Sequence, residues 1–94
     1  MHQLNARFTG RVQGVGFRMT VAEIADSFQV TGRVCNMSDG SVHLVGHGQQ
    51  EELVKFHQAI LLKMGHYVVE HAQNWSEHSN SCYATFEIGS DDSL

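Results

Sequence analysis

Residues 4–28 read LNARFTGRVQGVGFRMTVAEIADSF, and the hydrophobic period changes partway along this stretch. Leu4, Ala6 and Phe8 alternate with polar residues, which is the period of a strand with one buried face. After a segment rich in glycine, apolar residues recur at helical spacing, at Phe17, Val21, Ile24 and Phe28. The stretch therefore predicts a strand, a tight connection and an α-helix.

The next segment predicts a hairpin. Residues 31–36 and 41–48 favour strands, and Asp39-Gly40 between them is a strong turn signal. In the second of these strands the alternation directs Val42 and Leu44 towards the core. The other face is predicted to carry His43, Val45 and His47.

A second helix and two closing strands follow the hairpin. The helix is predicted from apolar residues on one face, and Gly65 is a natural end for it. That face consists of Leu53, Phe56, His57, Ile60, Leu61 and Met64. Residues 67–75 and 82–88 are the last strand candidates, and the second of them has a predicted buried face of Ala84, Phe86 and Ile88.

The resulting order is β-α-β-β-α-β with an extra strand near the end. Two helices packed on one face of a mainly antiparallel sheet of four to five strands bury these apolar faces economically. We therefore predict an α+β, ferredoxin-like sandwich that forms a single domain over residues 1–94.

Composition narrows the class of protein. The chain has 94 residues, of which 41% are hydrophobic and 17% charged, a globular balance. No apolar run reaches the roughly 18 residues of a membrane helix, and no basic region precedes an apolar one at the N-terminus. We expect a cytoplasmic monomer without a membrane partner, with Cys35 and Cys82 as reduced thiols; a bridge between them is the alternative.

The charge distribution bears on the partner. The formal net charge is −4, which argues against nucleic acid as a partner. Residues 1–33 nevertheless carry four arginines against two acids, whereas residues 34–94 carry two lysines against eight acids. A locally positive N-terminal third can attract a small anion, although solvated surface charge produces the same asymmetry.

The connection between the first strand and the first helix is the candidate site. Residues 10–18 contain Gly14 and Gly16, whose backbone freedom lets successive N–H groups point at one anion. The following helix adds its positive end, and Arg18 adds a planar fork of donors suited to phosphate. The spacing fits neither a Walker A loop nor a dinucleotide fingerprint. From the residues alone, a phosphate site and a plain tight turn both remain open.

Two motifs resemble those of the acylphosphatase family. GRVQGVGFR at residues 10–18 is similar to the family signature without a gap. A second block follows the family pattern G-x-V-x-N-x-x-D-G-S-V, carried by Gly32, Val34, Asn36, Asp39, Gly40, Ser41 and Val42. The chain departs from the family at Val21, where relatives often have threonine.

The resemblance implies a ferredoxin-like enzyme that hydrolyses acyl phosphates to a carboxylate and inorganic phosphate. It implies that Arg18 binds phosphate, that Asn36 positions the attacking water, and that no metal, cofactor or covalent intermediate takes part. Inorganic phosphate or sulfate is the expected product-like ligand of this site. Backbone N–H groups are expected to hold the phosphate from Gln13, Gly14, Val15, Gly16 and Phe17.

Several of these residues also fit other structural or functional roles. Asn36 alone is also typical of a turn, and Asp39 and Gly40 fit turn chemistry without a catalytic role. His43 and His47 on one strand would lie about 13 Å apart, too far for one metal ion. Two rival functions remain: a non-catalytic module that binds a phosphorylated or carbamoylated group within a longer protein, and an RNA- or metal-binding ferredoxin-like domain. The short length argues against the first, and charge and the lack of C-x-x-C argue against the second.

Overall fold

The computed structural model describes residues 1–77 and 82–89. Neither helix within those residues is long and apolar enough to cross a membrane. The elements, in chain order, are β1 (His2–Gly10), α1 (Phe17–Ala25), β2 (Val30–Asn36), β3 (Val42–Gly48), α2 (Gln50–Met64), a 3-10 helix (Gly65–Tyr67), β4 (Val68–Glu77) and β5 (Phe86–Ile88).

The strands of the described residues form one sheet in the order β4-β1-β3-β2-β5. β1 pairs antiparallel with β3 and β4, and β2 pairs antiparallel with β3. β5 runs parallel to β2, at the edge of the sheet opposite β4. The sheet is therefore mixed, and the predicted ferredoxin-like α+β fold is confirmed.

One face of the sheet carries both helices. Leu4, Ala6 and Phe8 of β1 are buried, as their alternation predicts. They share a single apolar cluster with residues of both helices, which places the two helices on the same face. Each large side chain buried there contributes about 1.5–3 kcal/mol. The helical members of the cluster are Phe17, Val21, Ala25, Leu53, Phe56, Ile60 and Met64.

The first helix is shorter than its apolar spacing predicts. It ends at Ala25, and the next three N–H groups bond to the third residue back rather than the fourth, tightening the chain into a turn. Phe28 thus lies beyond the helix. Its ring still packs 6.2 Å from that of Phe56, so the predicted apolar contact survives without the predicted helical turn.

The closing strand differs from its prediction. β5 contains three residues instead of seven, and the predicted buried face of Ala84, Phe86 and Ile88 is wrong. Ala84 is exposed and Ile88 is 47% exposed. Phe86 alone of the three reaches the core, 5.3 Å from the ring of Phe56, because the helical layer only partly covers this edge strand.

The buried face of α2 follows its prediction, with Leu61 only half-buried. It includes His57, which packs 5.7 Å from the ring of Phe8 and 5.8 Å from that of His71. Burial, and then the nearby charge of His71, lowers the pKa of His57 below its usual value. Gly65 ends the helix in a right-handed conformation and continues into the 3-10 helix, so its left-handed freedom is not used.

The opposite face of the sheet is partly covered. His47 lies there, as predicted, yet it is 3% exposed. Its Nε2 donates to Gln3 Oε1 over 2.7 Å, and its ring lies 5.7 Å from that of Tyr83. Cys35 is buried and Cys82 is exposed, and both carry free thiols.

Candidate functional site

The glycine loop between β1 and α1 has the predicted special backbone. Gly14 has φ 79°, and Gly16, which precedes the first residue of α1, has φ 76° and ψ 22°. A Cβ atom at either position would meet nothing within 4 Å, so glycine is needed for its backbone angles and not for space. The loop therefore delivers the chain to the start of α1, where the first N–H groups have no partner inside the helix.

Gln13 ties this loop to the hairpin between β2 and β3. Its Nε2 donates to the carbonyl oxygens of Met37 (2.8 Å) and Ser41 (2.9 Å). Met37 directly follows Asn36, so the amide sets the distance between the loop and the predicted water-positioning residue. Sequence reasoning missed this role, because a contact across 24 or 28 residues leaves no mark on local spacing.

The side chain of Arg18 is held by the residue that follows β5. Its Nη1 donates to the carbonyl oxygen of Gly89 over 2.9 Å. The N–H of Gly89 in turn donates to the carbonyl oxygen of Val34 over 2.8 Å, which fixes the end of β5 against β2. The guanidinium is therefore anchored to the sheet edge, beside the cleft described next.

A cleft of about 250 Å³ collects most of the predicted site residues. Arg18 and Asn36 line it together, although 18 positions separate them in the sequence. Asn36 is half-buried and paired with Val42, at the point where β2 enters the hairpin. The predicted phosphate-binding residues that share the lining are Gly14, Gly16 and Phe17.

The side chains of two predicted phosphate-binding residues make contacts outside the cleft. Gln13 turns its side chain to the hairpin, and Val15 packs against the apolar core. Only the backbone of either residue is thus left to face an anion.

Asp39 fixes the hairpin turn. Its Oδ1 accepts hydrogen bonds from the N–H (2.9 Å) and the hydroxyl of Ser41, and its Oδ2 accepts one from Nη2 of Arg7 (2.8 Å). The Ser41 hydroxyl, the Ser41 N–H and then Arg7 hold the pKa of this carboxyl well below its usual range. Asp39 lies outside the cleft lining, in keeping with its predicted turn role. The same Ser41 accepts the bond from Gln13, so turn and loop form one connected network.

One known protein family matches most of the chain. The model of the family described as Acylphosphatase matches residues 4–88. The chain belongs to the acylphosphatase family.

Individual acylphosphatases align with parts or all of the chain. A protein of Listeria welshimeri serovar 6b named acylphosphatase is 48% identical over 54 residues, which cover 57% of this chain and 58% of that protein. The chain thus matches little more than half the length of this curated relative. The crystal structure of acylphosphatase from Bacillus subtilis superposes with a TM-score of 0.77 and 29% identity, covering 97% of this chain and 98% of the other.

The same fold also occurs inside a longer protein. Full-length HypF, in its phosphate- and nucleotide-bound form, matches with a TM-score of 0.76 and 28% identity. The match covers 97% of this chain but 12% of HypF. An acylphosphatase-like unit can therefore be one part of a larger assembly.

The face of the sheet opposite the helices has a depression of similar size. It measures about 240 Å³ and includes Asn5, Arg7, His43 and Asn74. Among the described residues, no glycine loop or helix N-terminus lines it, and its Arg7 is paired with Asp39 over 2.8 Å. The cleft at Arg18 differs from this depression because residues of the glycine loop and Arg18 line it together.

Residues 1–77 and 82–89 contain no group of three or more His, Cys, Asp or Glu side chains arranged to hold a metal ion.

Proposed function

We propose that this protein is an acylphosphatase that hydrolyses the carboxyl-phosphate bond of small acyl phosphates. The observation that carries the proposal is the convergence of Arg18, Asn36 and the glycine loop on one cleft. Membership of the family and the fold shared with the Bacillus subtilis enzyme support the same activity.

Charge stabilisation is assigned to Arg18 and the loop. Phosphoryl transfer through a loose transition state needs charge stabilisation and positioning more than covalent chemistry. The guanidinium supplies a planar fork for two phosphate oxygens. The backbone N–H groups of residues 13–17 and the positive end of α1 face the same anion. Because Gly89 and Val34 already fix the arginine, little entropy is lost when the substrate binds.

The nucleophile is assigned to a water molecule held by Asn36. The amide oxygen of Asn36 accepts a hydrogen bond from the water. This bond directs a lone pair of the water oxygen at phosphorus. The P–O bond to the carboxylate breaks as the new P–O bond forms, and a phosphate oxygen takes the proton of the water. The carboxylate leaves readily, so the reaction needs neither a general acid nor a metal ion nor a covalent intermediate.

Single substitutions of Arg18 and Asn36 test these roles. With chelator present, we expect Arg18→Ala to lower kcat/KM for acetyl phosphate by ~10³-fold or more, and Arg18→Lys to recover little, because a point charge does not replace the fork. Asn36→Ala should cost ~10²–10³-fold. Asn5→Ala, on the face of the sheet opposite the helices, is the control and should keep wild-type turnover. Turnover near the wild-type value in Arg18→Ala or Asn36→Ala would contradict the assignment.

A binding module is the second candidate function. The likeness to part of HypF favours it, since that fold there forms a small share of a long chain. On this alternative the cleft holds a phosphorylated or carbamoylated group without hydrolysing it. A folded wild-type protein that binds inorganic phosphate or sulfate but hydrolyses no acyl phosphate would favour the module.

The surroundings of the reaction remain predictions. As a cytoplasmic monomer without a nucleic-acid or membrane partner, the protein would act on free small molecules. A single domain over residues 1–94 is likewise a prediction.

A further inference from the structure

Two large apolar side chains stand exposed at the cleft. Met19 is 62% exposed and Ile88 is 47% exposed, whereas most large apolar side chains of the described residues are buried or half-buried. They come from different elements, the first turn of α1 and the end of β5, yet both line the cleft that holds Arg18 and Asn36. Exposed apolar surface beside convergent polar groups is typical of a ligand site.

The position of this pair is fixed by the anchor of the arginine. Met19 follows Arg18 in the chain, and Ile88 precedes Gly89. The hydrogen bond from Arg18 Nη1 to the Gly89 carbonyl, 2.9 Å long, therefore links the two chain segments that carry these apolar residues.

We propose that Met19 and Ile88 bind the acyl group of the substrate and make the protein prefer acyl phosphates whose acyl group is apolar and several carbons long. The inference rests on the proposed acylphosphatase activity and specifies its substrate class. An apolar chain that covers these side chains removes both surfaces from water, whereas the acetyl group offers one methyl carbon.

The remaining lining of the cleft agrees with this class. Arg18 is the one charged side chain among the described residues that line it, and no acid lies there. An acyl group with an ammonium substituent finds no partner for its charge. The volume of about 250 Å³ lies just below the ~300–1,000 Å³ typical of sites for drug-sized ligands, which suits a phosphate with a short chain or one ring.

The test is a series of linear acyl phosphates: acetyl, butyryl and hexanoyl phosphate. Their leaving carboxylates are of nearly equal basicity, so differences in kcat/KM report contacts to the chain and not intrinsic reactivity. We expect kcat/KM of the wild-type protein to rise about tenfold or more from acetyl to hexanoyl phosphate. A closed pocket discriminates by ~10-fold or more per methylene. Because this cleft is open, the expected gain per methylene is smaller.

The variant is the double substitution Met19→Gln with Ile88→Thr. Glutamine keeps helix propensity and length, and threonine keeps the branched Cβ that suits a strand, so folding is preserved while the apolar surface is lost. The ratio of kcat/KM for hexanoyl to acetyl phosphate should fall about fivefold or more. Leu62→Gln, on an apolar residue of α2 that is 90% exposed outside the cleft, is the matched control and should keep the wild-type ratio.

Inhibition by inorganic phosphate separates the two ends of the site. Phosphate has no acyl group, so its inhibition constant should change less than twofold in the double variant. A flat series in the wild-type protein, or a double variant with the wild-type ratio, would overturn the inference but leave acyl phosphate hydrolysis intact. A phosphate inhibition constant that rises as much as the KM for hexanoyl phosphate would also overturn it. If the wild-type protein hydrolyses no member of the series, the proposed function itself fails.

Discussion

Gln13 should control the geometry of the site without touching the reacting atoms. We consider Gln13→Met, which keeps the length of the side chain and removes both donors. The two carbonyls keep one partner each, since Ser41 still accepts from the N–H of Met37 (2.8 Å) and Met37 from the N–H of Gly40 (3.1 Å). No buried acceptor is then left bare, and the loss is that of two net hydrogen bonds, each worth about 0.5–1.5 kcal/mol.

The expected cost in stability is therefore about 1–3 kcal/mol, measured as the free energy of unfolding in urea. The expected cost in kcat is about 10- to 100-fold, because a shift of about 1 Å between the loop and Asn36 misplaces the water. Gln13→Glu should be worse than Gln13→Met, since a carboxylate would face two carbonyl oxygens and lie near the phosphate.

Gln58→Met, at an exposed position of α2, is the matched control and should change neither quantity. A Gln13→Met protein that loses stability but keeps the wild-type kcat would show that the tie supports the fold alone. Unchanged stability together with unchanged kcat would refute the reasoning altogether.

Three further predictions concern the backbone and the titrating groups. Gly16→Ala should lower the free energy of unfolding in urea by about 1–2 kcal/mol, and Gly16→Asn by less, because asparagine tolerates the left-handed region; equal losses would contradict this. The lowered pKa of His57 means that the unfolded chain binds more protons, so stability should fall as pH falls below about 6.5. His57→Leu should flatten that slope and, since neither ring nitrogen has a hydrogen-bond partner among the described residues, raise stability at neutral pH; an unchanged slope would refute it. Asp39 contributes stability above its unfolded pKa of about 3.8 that is lost as pH falls through its lower folded value, so Asp39→Asn should weaken acid unfolding between about pH 4 and 2; identical acid titrations monitored by circular dichroism would contradict this.

Local periodicity accounts for the elements that the sequence predicts well. The alternation of Leu4, Ala6 and Phe8 and the helical spacing of α2 each reflect one buried face, and both faces are buried in the structure. His57 shows the strength of this signal, since its place in the pattern predicted burial of a polar ring. Gly14 and Gly16 likewise take the left-handed angles that the loop requires.

Features that depend on distant parts of the chain escaped prediction. The parallel pairing of β5 with β2, the short length of β5, and the bond from Arg18 to Gly89 depend on where the last segment crosses the sheet. The side chain of Gln13 bonds to carbonyls that no local pattern connects with it. In the same way, the spacing of the loop residues left a phosphate site and a tight turn equally open. The family resemblance favoured the site, and in the structure Arg18 and Asn36 line one cleft.

The most direct test of the central claim is hydrolysis of acetyl phosphate by the wild-type protein in water enriched in heavy oxygen. Attack of water on phosphorus, positioned by Asn36 and assisted by Arg18, places the label in inorganic phosphate and none in acetate. Mass spectrometry of both products reads the outcome. Label in the phosphate, at a rate that Arg18→Ala abolishes, is the predicted result. Label in the acetate, or no hydrolysis by the folded protein, would contradict the account.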